Sequence, residues 1–176
     1  GLGLMQIQSL TLSNDTDQFE AMRWPAMGEV TRITNPITID HTLLRQYLLP
    51  GLFRLLASNR HHELPQTVYE LGTVVRDHAN SDRFAFLVAE QNGGFAAVRG
   101  RIQAIMRDLG ATDYTIEALG GKMGPWLTGR AAKVIVDGIH VGCFGEMDPH
   151  VGHHYELKVP LSGAEFDIQE LERALP

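Results

Sequence analysis

Cysteine is almost absent from this chain: Cys143 stands alone among 176 residues. No internal disulfide can form, so the fold does not rely on oxidation, and a reducing cytoplasm is the compartment this implies. Lysine is nearly as scarce, limited to Lys122, Lys133 and Lys158, and the formal net charge is −6 at pH 7. Holding a phosphate backbone depends on clustered Lys and Arg that displace counterions. Any contact with nucleic acid must therefore be local, arginine-based and shared with another chain. No apolar run approaches the ~18 residues a membrane span needs. The start, Gly1-Leu2-Gly3-Leu4-Met5-Gln6-Ile7, lacks the basic region and long apolar core of a signal peptide. A soluble protein is expected, and the apolar beginning without an initiator methionine suggests a fragment of a longer chain.

What is present is ordinary globular material, 44% hydrophobic and 20% charged. Residues 1–176 fit one domain, which at this size buries roughly 70% of its unfolded surface. Alternation marks a strand over Gln6–Ser13, a second over Val30–Thr34 ended by Asn35-Pro36, a long one over Thr67–Arg76 with a bulge or close approach at Gly72, and another over Phe84–Ala89. Thr38 or Asp40 caps a helix through Leu43, Leu44 and Tyr47 to Leu49. Pro50 then begins a second one carrying Leu52, Leu55 and Leu56, so that the pair forms a bent helical arm. Asn92-Gly93-Gly94 is a turn, and Phe95, Val98, Ile102, Ile105, Met106 and Leu109 recur at helical spacing before Gly110. Tyr114–Ala118 is a short strand and Gly120–Gly124 a loop. Asp137-Gly138 closes a hairpin between Ala132–Val136 and Ile139–Phe144. A loop of histidines leads to a strand at Ala164–Phe166 and a helix that Asp167 and Glu170 open in capping-box fashion. Hairpins with a few helices, rather than regular alternation, predict an α+β fold with a largely antiparallel sheet.

Asn35-Pro36-Ile37-Thr38, Leu44-Arg45, Leu48-Leu49-Pro50-Gly51-Leu52, Asn59, Pro65 and Tyr69-Glu70-Leu71-Gly72-Thr73-Val74 follow one another in an order and spacing that resembles the phenylalanyl-tRNA synthetase beta subunit of archaeal and eukaryotic type. Phe95, Arg99-Gly100, Gly129-Arg130-Ala131-Ala132, Gly142 to Pro149, Tyr155-Glu156-Leu157, Val159-Pro160 and Glu165-Phe166-Asp167 continue it across nearly the whole chain. Gln46-Tyr47 and Met147 depart from the pattern. The resemblance implies the C-terminal catalytic-like domain of that subunit, with a class II aminoacyl-tRNA synthetase-like antiparallel sheet flanked by helices. It also implies a partner alpha subunit that holds the active site and uses ATP and Mg²⁺, a second beta subunit in an assembly of two alpha and two beta chains, and tRNA bound through the full complex.

Amino acid activation requires arginines and Mg²⁺ in a preorganised constellation around the phosphates. Arg76 lies where the resemblance puts the arginine that ends the motif 2 strand, and is read as a vestige of it. No glycine-rich motif 3 precedes Arg173, so no catalytic residue, cofactor or metal site is expected in this domain. Gly120-Gly121-Lys122-Met123-Gly124 with Arg130 lacks the Gly-Lys-Ser/Thr ending of a P-loop and reads as structural. Glu146 reads as a strand-end cap, His41 as a surface histidine and Cys143 as a small core residue. Arg45, Leu48, Leu49, Pro50 and Leu52 are candidates for the subunit interface, with core packing as the competing account. Two readings from other classes stay open: a free-standing class II synthetase paralogue binding an amino acid or adenylate, and a histidine-dependent metal protein using His150, His153 and His154, joined by His61-His62.

Overall fold

A computed structural model describes residues 2–176. Seven strands form one mixed sheet, with β1 (Met5–Gln6), β4 (Gln66–Arg76), β5 (Ala79–Ala89), β9 (Leu161–Asp167), β8 (Ile139–Met147), β7 (Trp126–Val136) and β6 (Tyr114–Ala118) side by side in that order. All neighbours are antiparallel except β1 and β4, which run parallel. A separate two-stranded piece pairs β2 (Leu12–Ser13) with β3 (Leu43–Leu44).

Helices cover both faces because both faces of the central strands are apolar. On β5 the side chains alternate cleanly. Phe86 and Val88 join the layer beneath α2 (Phe95–Asp108) and α4 (Ile168–Ala174), while Ala85, Leu87 and Ala89 join the layer beneath α1 (Leu49–Ser58) and α3 (Pro149–His154). The alanines keep the second face shallow, and the large side chains of α1, Leu52, Phe53 and Leu56, fill it from above. The α+β expectation therefore holds, and so do α2, β6 and the α4 cap, where the Asp167 side chain accepts from the Glu170 amide. The Asp137-Gly138 hairpin closes with both residues at positive φ, the mirror-image turn that suits strand twist.

The first third of the chain departs from expectation. Gln6–Ser13 is not one strand, since its ends belong to different sheets, and Val30–Thr34 contributes a single bridge, Arg32 to Leu43. No helix spans residues 38–49, so there is no bent arm. The amides a helix would send to its own carbonyls are taken elsewhere: Gln46 and Tyr47 donate to the Gln18 side chain, and Leu48 and Leu49 donate to Glu165. The backbone becomes helical only at Leu49, with Pro50 in the first turn. The histidine loop is partly the helix α3, opened by Asp148, whose carboxylate accepts from the His150 amide, and by Pro149. Gly72 carries no bulge, because β4 pairs with β5 without interruption from Gln66 to Arg76. The glycine serves a close approach instead, since a Cβ there would stand 2.6 Å from a guanidinium nitrogen of Arg45.

Leu48, Leu49 and Leu52 are fully buried within this chain, and Pro50 and Arg45 are buried with them. Burial of these five residues in the chain itself fits core packing, the competing account, and the exposed side of α1 carries other residues. Leu52→Ala should lower unfolding free energy by ~2–5 kcal/mol, and Leu52→Glu should prevent folding altogether. A urea titration followed by circular dichroism reads both, and an unchanged midpoint for either variant would contradict the packing.

Candidate functional site: the covered sheet face and the groove beside α1

Three buried polar side chains stitch the first fifty residues onto the sheet. Glu165, on β9, accepts from the amides of Leu48 and Leu49 at 2.9–3.1 Å and from Arg83 Nε at 2.6 Å. Glu70, on β4, accepts from the Ser9 amide and hydroxyl and from Arg45 Nη1 at 3.0 Å, while Arg45 Nε donates to the Thr73 carbonyl. Gln18 sits in a wide helical turn over Thr16–Glu20, in which the Ala21 amide reaches back to the Thr16 carbonyl. Its amide group accepts from Gln46 and Tyr47 and donates to the Tyr47 carbonyl and to Ser13 Oγ. The same turn buries Asp17, which takes a two-pronged bond from Arg54 on α1 and the Tyr155 hydroxyl.

Arg76 is committed to this network. Its Nε and Nη2 both donate to the Gln46 carbonyl at 2.8–3.1 Å, and its guanidinium lies over the Tyr47 ring, which stacks on Trp24 at 4.2 Å on a 15° tilt. Burial, and then the neighbouring Arg83, pull the Arg76 pKa down, while burial pushes Tyr47 up to about 12. An arginine tied to its own backbone and stacked on its own tyrosine cannot wrap a phosphate without breaking both contacts. Arg173 lies on α4, exposed, and bonds only to Glu170. Among the described residues the two arginines share no bonding partner.

The remaining named residues disperse. His150 bonds to Asp148 and stands 6.5 Å from His153 ring to ring, whereas His154 packs against Tyr155. His61 and His62 are exposed beyond α1. Among the described residues no three His, Cys, Asp or Glu side chains converge. Cys143 is half-buried beside His140, at 3.4 Å, and burial raises its thiol to about 11, which leaves it protonated. Glu146 faces Arg130 at 3.6 Å, and the loop of Gly120–Gly124 joins β6 to β7 without a helix to follow it. His41 lines a groove.

That groove, of about 470 Å³, runs between α1 and the segment Ile7–Asp17, with Asp40 and His41 at one end and Arg54 and Leu55 along its helical wall. The outward side of α1, Gly51, Arg54, Leu55 and Ser58, borders it, exposed Leu10 lines it too, and Ile37 and Ile39 stand exposed in the segment that leads to Asp40. The five residues named from sequence on and before this helix face inward, away from the groove's outward wall, except that Arg45 and Pro50 also line it. Sequence reasoning missed Glu165, Arg83, Asp17 and Gln18; lone charges such as Glu165 inside an otherwise apolar strand were the signal for the first.

A family model described as Phenylalanyl tRNA synthetase beta chain CLM domain matches residues 1–168. Similar curated proteins include the phenylalanine-tRNA ligase beta subunits of Archaeoglobus fulgidus, 38% identical over 172 residues, Methanothrix thermoacetophila, 36% over 168, and Methanopyrus kandleri, 33% over 177. The alignments cover 96–97% of this chain and 30% of each relative, so the chain spans under a third of their length.

Glu165→Gln should cost about 3 kcal/mol or more, because Arg83 is left buried without its main counter-charge; denaturant unfolding of the variant measures this, and a loss below about 1 kcal/mol would show that Asp167 alone suffices. A second outcome concerns acid. Burial opposes ionisation of Asp148, yet the His150 amide and Arg23 outweigh it and hold the carboxyl at about 2, below its ordinary 3.8. A depressed native pKa gives stability that is present above the ordinary value and lost as pH falls through about 2. Asp148→Asn should therefore be less stable at neutral pH and show a flatter stability profile between roughly pH 4 and pH 2, read by thermal melts across that range.

Proposed function

Because the chain belongs to the family of the phenylalanyl tRNA synthetase beta chain CLM domain, we propose that it is a non-catalytic structural domain of the beta subunit of a phenylalanine-tRNA ligase. In the intact enzyme phenylalanine is attached to its tRNA with ATP, and the chemistry, with its Mg²⁺, belongs to a partner alpha subunit. Two alpha and two beta chains make up the assembly, which contacts tRNA as a whole and works in the cytoplasm. A single catalytic-like domain over residues 1–176, with a class II synthetase-like core, is part of the same proposal. Its support is the broad sheet, antiparallel but for one pair, with helices on both faces. Placement toward the C-terminal end of the longer subunit rests on the resemblance alone. Among the described residues no helix is long and apolar enough to cross a membrane.

One observation carries the non-catalytic assignment: the sheet face bearing Arg76, Arg83 and Glu165 is filled by the chain's own Gln46–Leu49 segment, which Arg76 and Glu165 bond directly while Arg83 bonds to Glu165 and lies over the Tyr47 ring. Transition-state stabilisation needs donors aimed at developing charge, and donors already engaged with the backbone are not available for it. Arg76 is thus a clip for the start of α1 rather than a phosphate ligand. The alpha subunit docks on the outward side of α1, along the groove and the exposed Ile37 and Ile39, since burying those isoleucines against a partner releases ordered water that the free chain retains.

With the full-length beta subunit in its complex, Arg76→Gln should leave the aminoacylation kcat within about threefold of wild type, whereas loss of a charge-stabilising donor costs roughly 100-fold or more. A loss of that larger size, in complexes shown to be assembled, would make Arg76 catalytic and sink the assignment. Ile37→Asp with Ile39→Asp should weaken association of the subunits at least about tenfold, a change of ~1.4 kcal/mol, as read by analytical ultracentrifugation. Unaltered association would move the interface off this surface.

A further inference from the structure

The chain has five asparagines, Asn14, Asn35, Asn59, Asn80 and Asn92, and their surroundings differ sharply. Asn14 donates to the Asp17 carboxylate and the Asp40 carbonyl. Asn59 donates to the Leu55 carbonyl at 2.9 Å. Asn80 lies in β5, paired in register with Val75. Asn35 is followed by Pro36, whose nitrogen carries no hydrogen. Asn92 is exposed, lies in the turn between β5 and α2, and is followed by Gly93, while no hydrogen bond is made by its side chain among the described residues. The Gly93 amide makes one long backbone contact, to the Glu90 carbonyl at 3.5 Å, and belongs to neither strand nor helix.

We propose that Asn92 is a site of spontaneous covalent modification, deamidation through a succinimide, selected by this turn over every other asparagine. The Gly93 nitrogen gives up its proton to solvent base and attacks the Asn92 side-chain carbonyl carbon, forming a C–N bond. The tetrahedral adduct expels the side-chain amide nitrogen as ammonia and closes a five-membered imide. Water then opens the ring. Attack at the side-chain carbonyl gives aspartate, and attack at the main-chain carbonyl gives isoaspartate, whose backbone runs through the former side chain. The net change is one water consumed and one ammonia released, with no oxidant or reductant. Glycine suits the attacking position because, without a Cβ, it reaches conformations other residues do not and leaves its nitrogen unshielded.

The product changes the start of α2. A new carboxylate enters a turn already bordered by Glu90, which Arg101 approaches at 3.6 Å, and by Glu146, which Arg130 approaches at the same distance. Isoaspartate also lengthens the backbone by one atom just ahead of Gly94, the residue that precedes the first helical turn. Amides of that turn should then exchange with solvent faster than before.

The test is peptide mapping by mass spectrometry of the full-length beta subunit in its complex, aged in mildly alkaline buffer at physiological temperature, with isoaspartate scored by enzymatic methyl transfer. Conversion at Asn92 should outrun each of the other four asparagines, and Asn92→Gln should remove the isoaspartate signal. Conversion at Asn92 no faster than at Asn14 or Asn59, or an isoaspartate signal that survives Asn92→Gln, would overturn the proposal.

Discussion

Glu165 is the group on which the arrangement turns. Its carboxylate lies buried on a central strand, beside Arg83, with two backbone amides of the α1 start directed at it. A buried carboxylate is costly unless it is paired and hydrogen-bonded, and here the pairing and the helix start satisfy one another. The negative charge at the first turn also complements the helix dipole. Remove the carboxylate and two amides, one guanidinium and the direction of α1 all lose their reason. The helix lies over this face because its first amides have no other acceptor of comparable strength.

From that anchor the rest of the face follows. Once residues 48 and 49 are pinned, Tyr47 is carried between Trp24 and Arg76, and the Gln46 carbonyl comes within reach of the Arg76 guanidinium. Gln18 and Glu70 repeat the device further back along the chain, with side chains accepting from backbone that has no strand or helix partner. The segment from Ser9 to Leu48 is therefore held by side-chain acceptors more than by its own secondary structure. Aromatic and aliphatic packing beneath α1 then excludes water from the whole set, which strengthens each bond within it.

This explains which parts were legible in sequence. Helix α2, strand β6, the Asp137-Gly138 hairpin and the α4 cap are written in residues close together, as period, turn dipeptide and capping pair, and each was found within a few residues. Residues 38–49 carry helical spacing too, but their amides answer to Gln18 and Glu165, the latter more than a hundred residues away. Local pattern has no access to such partners. The β4–β5 turn was hidden for another reason: Asp77 and His78 adopt positive φ without a glycine, helped by Asp77 bonding across to Glu29 and His78 to Thr31. Helix α3 is readable in Asp148-Pro149, an N-cap followed by proline, although the histidines that make up half of it read equally as a loop. Helix α1 shows the same division, since amphipathic spacing marks the helix while only the packing tells which side is turned inward.

The parallel pairing of β1 with β4 has a bearing on how molecules of this kind behave at high concentration. A bare outer strand is a template on which another chain can add, and β4 would be the longer template, eleven residues with apolar side chains. Met5 and Gln6 cover part of that edge, the Arg45 side chain takes the Thr73 carbonyl, and the Arg45 carbonyl takes the Val75 amide. What remains at the opposite border is β6, five residues long, whose partly solvent-facing surface carries Thr115 and Glu117. Both borders thus end in short strands, two residues at one and five at the other, and a short strand offers an added chain few backbone groups to pair with.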